Sequence, residues 1–345
     1  MDATSVTFEV ADPDRRLCSV RLWQEVGLPV DRLTFARTGP NWVLRIDRPP
    51  VQRMEYLLRL AHVGGAVETV PDPANPAWVP SAFGPHSVVE FPGYAPPAWL
   101  GAPAVDGSWN SLRVAGRALG ADVEVRIWCP AGMPAGAPLP LLVVHDGPEY
   151  DALASLSRYC AAAIAGGVLP AHRLALLAPG HRDEWYSCST PYADALTAAV
   201  LPALRIAAPA PAAPVGMGTS LGALAMLHAQ RRQPGSFSAL FLQSGSFFTP
   251  RFDAHEVRFG RYPRIVRFVA DTLRAPTARE KVPVAMTCGA IEENVANNRL
   301  MAAALAAQGY PVHLDEVADV HNYIGWRDAF DPFLTDLLHR AWIRA

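Results

Sequence analysis

From about residue 110 onward, short apolar runs of strand length alternate with longer amphipathic runs of helix length. Strand-like segments are Val123–Trp128, Leu139–His145, Arg173–Ala178, Pro214–Gly218, Ala239–Gln243, Val282–Cys288 and Val312–Val317. Between and after them lie helix-like segments at Tyr150–Ala165, Tyr192–Leu204, Leu221–Arg231, Asn294–Gln308 and Trp326–Trp342. Strands that are apolar on both faces must be covered on both faces. Alternation with helices therefore predicts a mostly parallel sheet flanked by helices on each side. That pattern excludes all-β and all-α architectures for the larger part of the chain.

The first hundred residues read differently. Val6–Val10, Cys18–Trp23, Leu33–Ala36, Trp42–Ile46 and Met54–Leu60 are strand-like and separated by Asp-Pro, Gly-Leu-Pro, Thr-Gly-Pro and Arg-Pro-Pro breakers. Strands recurring at roughly ten-residue intervals predict a small Ig-like β-sandwich. A proline-rich stretch from Pro71 to Pro103 follows, expected as an ordered but irregular linker. The predicted organisation is a sandwich with its linker over 1–100 and a mostly parallel α/β domain over 101–345. With 345 residues, half of them hydrophobic, the chain can bury a core in each.

The formal charge of −2 gives no basic excess, which argues against a nucleic-acid or anionic-membrane binder. The N-terminal stretch Met1–Pro13 is polar and acidic, so no signal peptide is expected. The apolar run 153–169 is interrupted by Ser155, Ser157 and Arg158 and is too short to span a bilayer. Five cysteines (Cys18, Cys129, Cys160, Cys188 and Cys288) show neither metal spacing nor a disulfide framework. Reduced thiols and a cytoplasmic location are the expectation, with no metal or organic cofactor.

Gly218-Thr219-Ser220-Leu221-Gly222 fits G-x-S-x-G between an apolar strand and an apolar helix. That context is what a nucleophile elbow requires. It predicts Ser220 as nucleophile, with the Leu221 amide at the helix N-terminus as an oxyanion donor. The competing reading is a helix N-cap serine between two glycines. Hydrolases of this kind run serine, acid, histidine along the chain. His321 follows the last predicted strand and is the expected general base. The acid should follow Val282–Cys288, where Glu292 and Glu293 stand together. Glu292 is preferred, and Glu293 would otherwise be a first-turn helix residue. Asp315, Asp319 and Asp328 are weaker alternatives.

Residues from about 110 to 340 resemble the Putative esterase (esterase-D-like) family of α/β-hydrolases, and within it the enterochelin esterases, which cleave ferric catecholate siderophores. The resemblance rests on His145-Asp146-Gly147, His181-Arg182-Asp183-Glu184, the elbow 218–222 and Gln243-Ser244-Gly245-Ser246. It extends to Gly289-Ala290-Ile291-Glu292, Asn298-Arg299, and His321 with Trp326-Arg327-Asp328. The front of the chain, including Asp72-Pro73-Ala74-Asn75-Pro76, is also similar. The resemblance implies Ser220, Glu292 and His321 as the triad and a second oxyanion donor at the Asp146-Gly147 turn. Pro148 has no N–H, which leaves the Gly147 amide. Three positions depart from the family pattern: Ala223 and Val320 replace glycines, and Ala199 replaces an acidic residue.

The implied substrate is a small-molecule ester, with a ferric siderophore as one candidate; the oligomeric state is left open. Feruloyl-type or general carboxylester hydrolysis, acyl transfer on the same triad, and a non-catalytic scaffold are the alternatives. Arg182, Trp185 and Asp146 are the expected substrate-binding residues, and for Trp185, as for Tyr186, simple packing is the alternative. Residues 251–267 carry Arg251, Arg258, Arg261 and Arg264 with Phe252, His255, Phe259 and Tyr262. They are expected to form either a lid suited to anionic aromatic substrates or a plain surface helix.

Overall fold

The computed structural model describes residues 4–134, 136–277 and 280–343. The first three residues of the polar N-terminal stretch lie outside them. The chain divides into two compact units.

One unit comprises residues 1–95 together with two later segments, Gly289–Glu293 and Val317–Gly325. It holds β1 (Ser5–Ala11), β2 (Leu17–Gln24), β3 (Ala36–Thr38), β4 (Asn41–Asp47), β5 (Arg53–His62), β6 (Val67–Val70), β7 (Trp78–Ser81) and β8 (Gly84–Glu90). One sheet has the order β1-β4-β3. The other runs β2-β5-β8-β7, with β6 paired to β5. The strands of both sheets pair antiparallel. Alternate residues point inward, so Val6, Phe8 and Val10 meet Val20, Leu22, Met54, Tyr56 and Leu58 in one core. Val320, from the second later segment, belongs to the same core. It gives that segment an apolar anchor.

Two sequence expectations are corrected here. Leu33–Ala36 is not a strand: Val30–Leu33 forms a 3-10 turn and the strand begins at Ala36. Pro29 fixes the backbone before the turn, and Leu33 is its only buried residue. The stretch from Pro71 is also more regular than expected, because it contains β7 and β8. Its Asp72–Asn75 turn is pinned: the Tyr56 hydroxyl donates to Asp72 at 2.8 Å, and Asn75 donates to the Val88 carbonyl at 2.8 Å.

The other unit comprises residues 96–288, 294–316 and 326–345. It is built on an eight-stranded sheet from β9 (Gly107–Val114), β10 (Val123–Pro130), β11 (Leu141–Val144), β12 (Arg173–Leu177), β13 (Val215–Thr219), β14 (Ala239–Gln243), β15 (Val284–Gly289) and β16 (Val312–Val317). The order is β16-β15-β14-β13-β11-β12-β10-β9. Strands β12, β11, β13, β14 and β15 are parallel, and β10 and β9 pair antiparallel at one end. With helices on both faces, this is the α/β-hydrolase architecture. Strand β11 is buried throughout, as are β12, β13 and β14, which accounts for their mostly apolar sequences, with polar residues only at strand ends.

Three expected long helices are interrupted. Tyr150–Ala165 splits into Gly147–Ala154 and Leu156–Ala165 at Ser155, whose φ of 55° is left-handed. The helix over 190–207 contains a wider turn at Leu196–Val200, just before Pro202. The final helical region is broken at Phe330–Leu334, which contains Pro332. Proline removes a backbone donor, so the ladder must widen or bend around it. No helix among the described residues is long and apolar enough to cross a membrane.

Candidate active site

Strand β13 ends at Thr219 and the helix Leu221–Arg232 begins two residues later, with Ser220 between them at φ 53°, ψ −124°. This backbone conformation is strained for a non-glycine residue. The flanking glycines are what make the turn sterically possible. A Cβ on Gly218 would lie 2.5 Å from the Gly222 carbonyl carbon. A Cβ on Gly222 would lie 3.1 Å from His145 Cβ and 3.2 Å from Asp146 Oδ2. The N-cap reading fails on geometry. Capping serines are extended and accept from the helix amides, whereas the Ser220 side chain makes no capping hydrogen bond. Its Oγ lies instead 3.1 Å from Ser246 Oγ.

The turn after β11 is held against this elbow. His145 is fully buried, with Nδ1 3.0 Å from the Gly222 carbonyl and Nε2 2.9 Å from the Tyr192 hydroxyl. Asp146 follows with φ 49° and starts the helix Gly147–Ala154. Its carboxylate takes both prongs of the Arg182 guanidinium, from Nε and Nη2, each at 2.8 Å. Such a fork fixes orientation as well as charge. Gly147 cannot be replaced without a shift, because a Cβ there would sit 2.4 Å from Leu176 Cα. Gly147 and Leu221 each occupy the first position of a helix, where the N–H has no acceptor within the helix. Two N–H donors thus stand at neighbouring helix N-termini, an arrangement suited to an oxyanion.

Glu292 and His321 are brought together in the other unit. The Glu292 carboxylate is 4% exposed as a residue, and its Oε2 lies 3.4 Å from His321 Nδ1. Burial of the His321 ring disfavours its charged form. The carboxylates outweigh this, Glu292 first, then Glu25 and Glu293, and hold the imidazole above its ordinary value. Glu293 itself is exposed. Glu25 is pushed up to about 7, first by loss of hydration; His321 opposes the rise, and Glu55 and Glu293 add to it.

The residues expected to touch substrate are placed less simply. Asp146 is buried and engaged by Arg182. Trp185 is only 2% exposed, stacked on Tyr192 with centroids 5.4 Å apart, and therefore packs in the core. Tyr186 is buried beside it. In the 251–267 region, Ala254–Arg258 forms a short 3-10 turn and Tyr262–Arg274 an α-helix. Arg261 and Arg264 both pair with Glu184, and Arg264 also donates to the Ser187 carbonyl. Arg251 and Arg258 stay exposed.

The family model described as Putative esterase matches residues 116–337. This chain belongs to that family. The esterase also resembles solved structures over nearly its full length. It is 20% identical to the ferric enterobactin esterase of Salmonella typhimurium, covering 100% of this chain and 96% of that one, with a TM-score of 0.78. It is 19% identical to the enterobactin esterase of Shigella flexneri solved in the presence of enterobactin, covering 99% and 94%, with a TM-score of 0.75. A ferulic acid esterase is 15% identical and covers 68% of this chain and 99% of its own, with a TM-score of 0.56. At these identities the likeness establishes the fold. No curated protein sequence matches.

Ser246 was not singled out by sequence reasoning as a neighbour of the serine. Its hydroxyl is buried against Ser220 Oγ, and its N–H donates to the Ser220 carbonyl at 3.2 Å. The only signal was its place in the Gln243-Ser244-Gly245-Ser246 motif. The Tyr192–His145 contact was equally invisible, because it joins residues 47 apart in sequence.

Burial has a measurable consequence at His145 and also at His172, which is likewise fully buried. Loss of hydration pulls each imidazole down to about 4. The unfolded chain, titrating near 6.5, takes up protons first as pH falls. These two histidines therefore withdraw stability between pH 6.5 and pH 4, about 2–3 kcal/mol each. Glu25 and Asp319, whose carboxyls burial raises to about 7 and about 6, take up protons in the folded state and act in the opposite direction. Urea unfolding of the wild type and of His172→Phe at pH 7.0 and pH 4.5 isolates the histidine: the variant should lose less stability on acidification, and an equal pH dependence of the two would contradict the expectation.

Proposed function

We propose that this esterase works by serine acyl transfer, with Ser220 as nucleophile, His321 as general base and Glu292 as the acid that orients it. The observation that carries the reading is the strained backbone of Ser220 at a strand–turn–helix junction with its hydroxyl off the capping position. The charge-raised imidazole of His321 facing Glu292 supports the other half. In the proposed reaction His321 takes the Ser220 proton as Oγ attacks the ester carbonyl carbon. The Leu221 and Gly147 amides receive the developing oxyanion. His321 then protonates the leaving alkoxide, and water, deprotonated by His321, releases the acid and restores Ser220.

We further propose a ferric catecholate siderophore ester as substrate, on the strength of a fold shared with enterobactin esterases along the whole chain, sandwich included. One observation favours a second reading, hydrolysis of simple or aryl esters. Arg182, Arg261 and Arg264 are already engaged by Asp146 and Glu184. That leaves Arg251, Arg258 and Arg267 as the other exposed arginines of the 251–267 region that an anionic complex could use.

The deciding experiment measures hydrolysis of p-nitrophenyl butyrate and of a ferric trilactone siderophore by the wild type. Cleavage of both, with the siderophore preferred in kcat/KM, supports the first reading. Cleavage of the simple ester alone rejects the siderophore. Formation of a new ester on adding an alcohol acceptor would make the chain an acyltransferase.

A further inference from the structure

We propose that Arg53, on β5 of the sandwich, is a positioning residue that sets the loop carrying His321. This rests on His321 being the base.

The alternation of β5 sends Met54 and Tyr56 into the sandwich core and Arg53 and Glu55 to the opposite face, where both are nevertheless buried. Arg53 is 1% exposed. Its Nη1 donates to Glu55 Oε1 at 3.1 Å and to Asn322 Oδ1 at 3.2 Å, and lies 3.8 Å from Asp319 Oδ2. Asp319 and Asn322 flank His321 on its two sides. Asp319 Oδ1 accepts the Val320 N–H and the Asn322 side-chain amide, both at 2.8 Å. Asn322 Oδ1 also accepts the Gly325 N–H at 2.8 Å. The Gln52 N–H, next to Arg53, donates to the Ala318 carbonyl at 2.9 Å. Residues 318–325 thus form one hydrogen-bonded turn with Arg53 at its centre, and Val320 is packed in the sandwich core beside it.

The cluster is poorly arranged for stability alone. All three polar contacts use Nη1, while Nε and Nη2 are buried without a hydrogen-bond partner. A buried guanidinium carries a large desolvation cost, and an apolar replacement of similar volume is often as stable. What Arg53 does supply is direction. It grips the residue after His321 and the carboxylate two residues before it, which leaves the imidazole little freedom. Close approach confirms how tightly the turn is built. A Cβ on Gly289 would lie 2.4 Å from the Asp319 carbonyl oxygen, and one on Gly325 would lie 3.0 Å from Asp319 Cβ. A base must be held to within a fraction of an ångström, since small misplacements cost on the order of 100-fold in rate.

The test compares Arg53→Met, Arg53→Lys and Asn322→Ala with wild type on p-nitrophenyl butyrate, and follows the His321 ring resonance by NMR. Arg53→Met is expected to lower kcat by about 30–100-fold with KM within about threefold, as loss of positioning demands. Arg53→Lys should recover part of kcat, since a point charge reaches one partner at a time. In Arg53→Met the single His321 resonance should broaden or divide. A folded Arg53→Met with kcat within twofold of wild type, or a loss confined to KM, overturns the proposal. Should Arg53→Met not fold, Asn322→Ala decides, with about a tenfold loss of kcat expected and an unchanged kcat overturning it. Should the wild type cleave no ester, the hydrolase mechanism falls, and the resonance alone decides: unchanged in Arg53→Met, it overturns the positioning role as well.

Discussion

Ser220→Ala is expected to lower kcat/KM for any ester the wild type cleaves by at least about 10³–10⁴-fold while leaving the fold intact. The second half of that expectation follows from what the side chain does in the structure. Ser220 Oγ makes no capping bond, and its hydroxyl contact is with Ser246. Removing it deletes one neutral hydrogen bond, with a cost of about 1 kcal/mol. The backbone hydrogen bonds of the elbow, Ser220 N–H to Gln243 and Ser246 N–H to Ser220, do not depend on the side chain. The strain at φ 53° remains, because alanine is no happier there than serine. The first half follows from chemistry: without Oγ no acyl-enzyme can form. A burst of p-nitrophenolate in wild type, absent in the variant, with matching urea midpoints, is the measurement. A variant retaining a tenth of wild-type activity would move the nucleophile elsewhere.

The elbow was legible because its determinants are local. Two glycines, an apolar strand and an apolar helix lie within about fifteen residues, and steric exclusion at Gly218 and Gly222 explains the spacing. The same holds for β11 to β14, whose burial on both faces is written as apolar sequence with polar residues only at the strand ends. What failed to show was structure that prolines disguise. Strand β7 reads Trp-Val-Pro-Ser and β8 opens Gly-Pro-His, so breaker residues hid a hairpin whose register places Pro80 opposite Pro85. The break at Ser155 was silent for the opposite reason, since serine carries no strong signal for a left-handed turn. At the site, sequence order put Ser220, Glu292 and His321 on a plausible list but could say nothing about charge pairing. The fork of Arg182 onto Asp146 and the stacking of Trp185 on Tyr192 join separate elements, and no local pattern announces either. The Arg53 cluster joins residues 269 apart in sequence, and no periodicity could have announced it.

Glu292→Gln is the second large effect. The substitution keeps shape but removes the charge facing His321 Nδ1, and kcat should fall by about 10²–10⁴-fold, as when the acid of a triad is neutralised. The pH profile gives an independent sign. In the wild type the imidazole is held above its ordinary value because the carboxylates, Glu292 foremost, outweigh the effect of burial. Protonated His321 cannot act as base, so the acid limb of kcat/KM should lie above pH 6.5. Deleting the Glu292 charge lowers the pKa, so the limb should move to lower pH while the plateau falls. Glu293→Gln is the contrasting variant. Glu293 is exposed and is the more distant of the two in its influence on His321. Its plateau should stay within about threefold of wild type, with only a slight shift of the limb in the same direction, because an exposed charge is screened by solvent. The reverse ranking, with a collapsed plateau in Glu293→Gln and a preserved one in Glu292→Gln, would transfer the acid's role to Glu293. It would also mean that the 3.4 Å approach of Glu292 to the ring is not the arrangement used in turnover. Equal, small effects of both substitutions would instead mean that His321 is oriented by its loop alone, which places the whole burden of positioning on Asp319, Asn322 and the arginine that holds them.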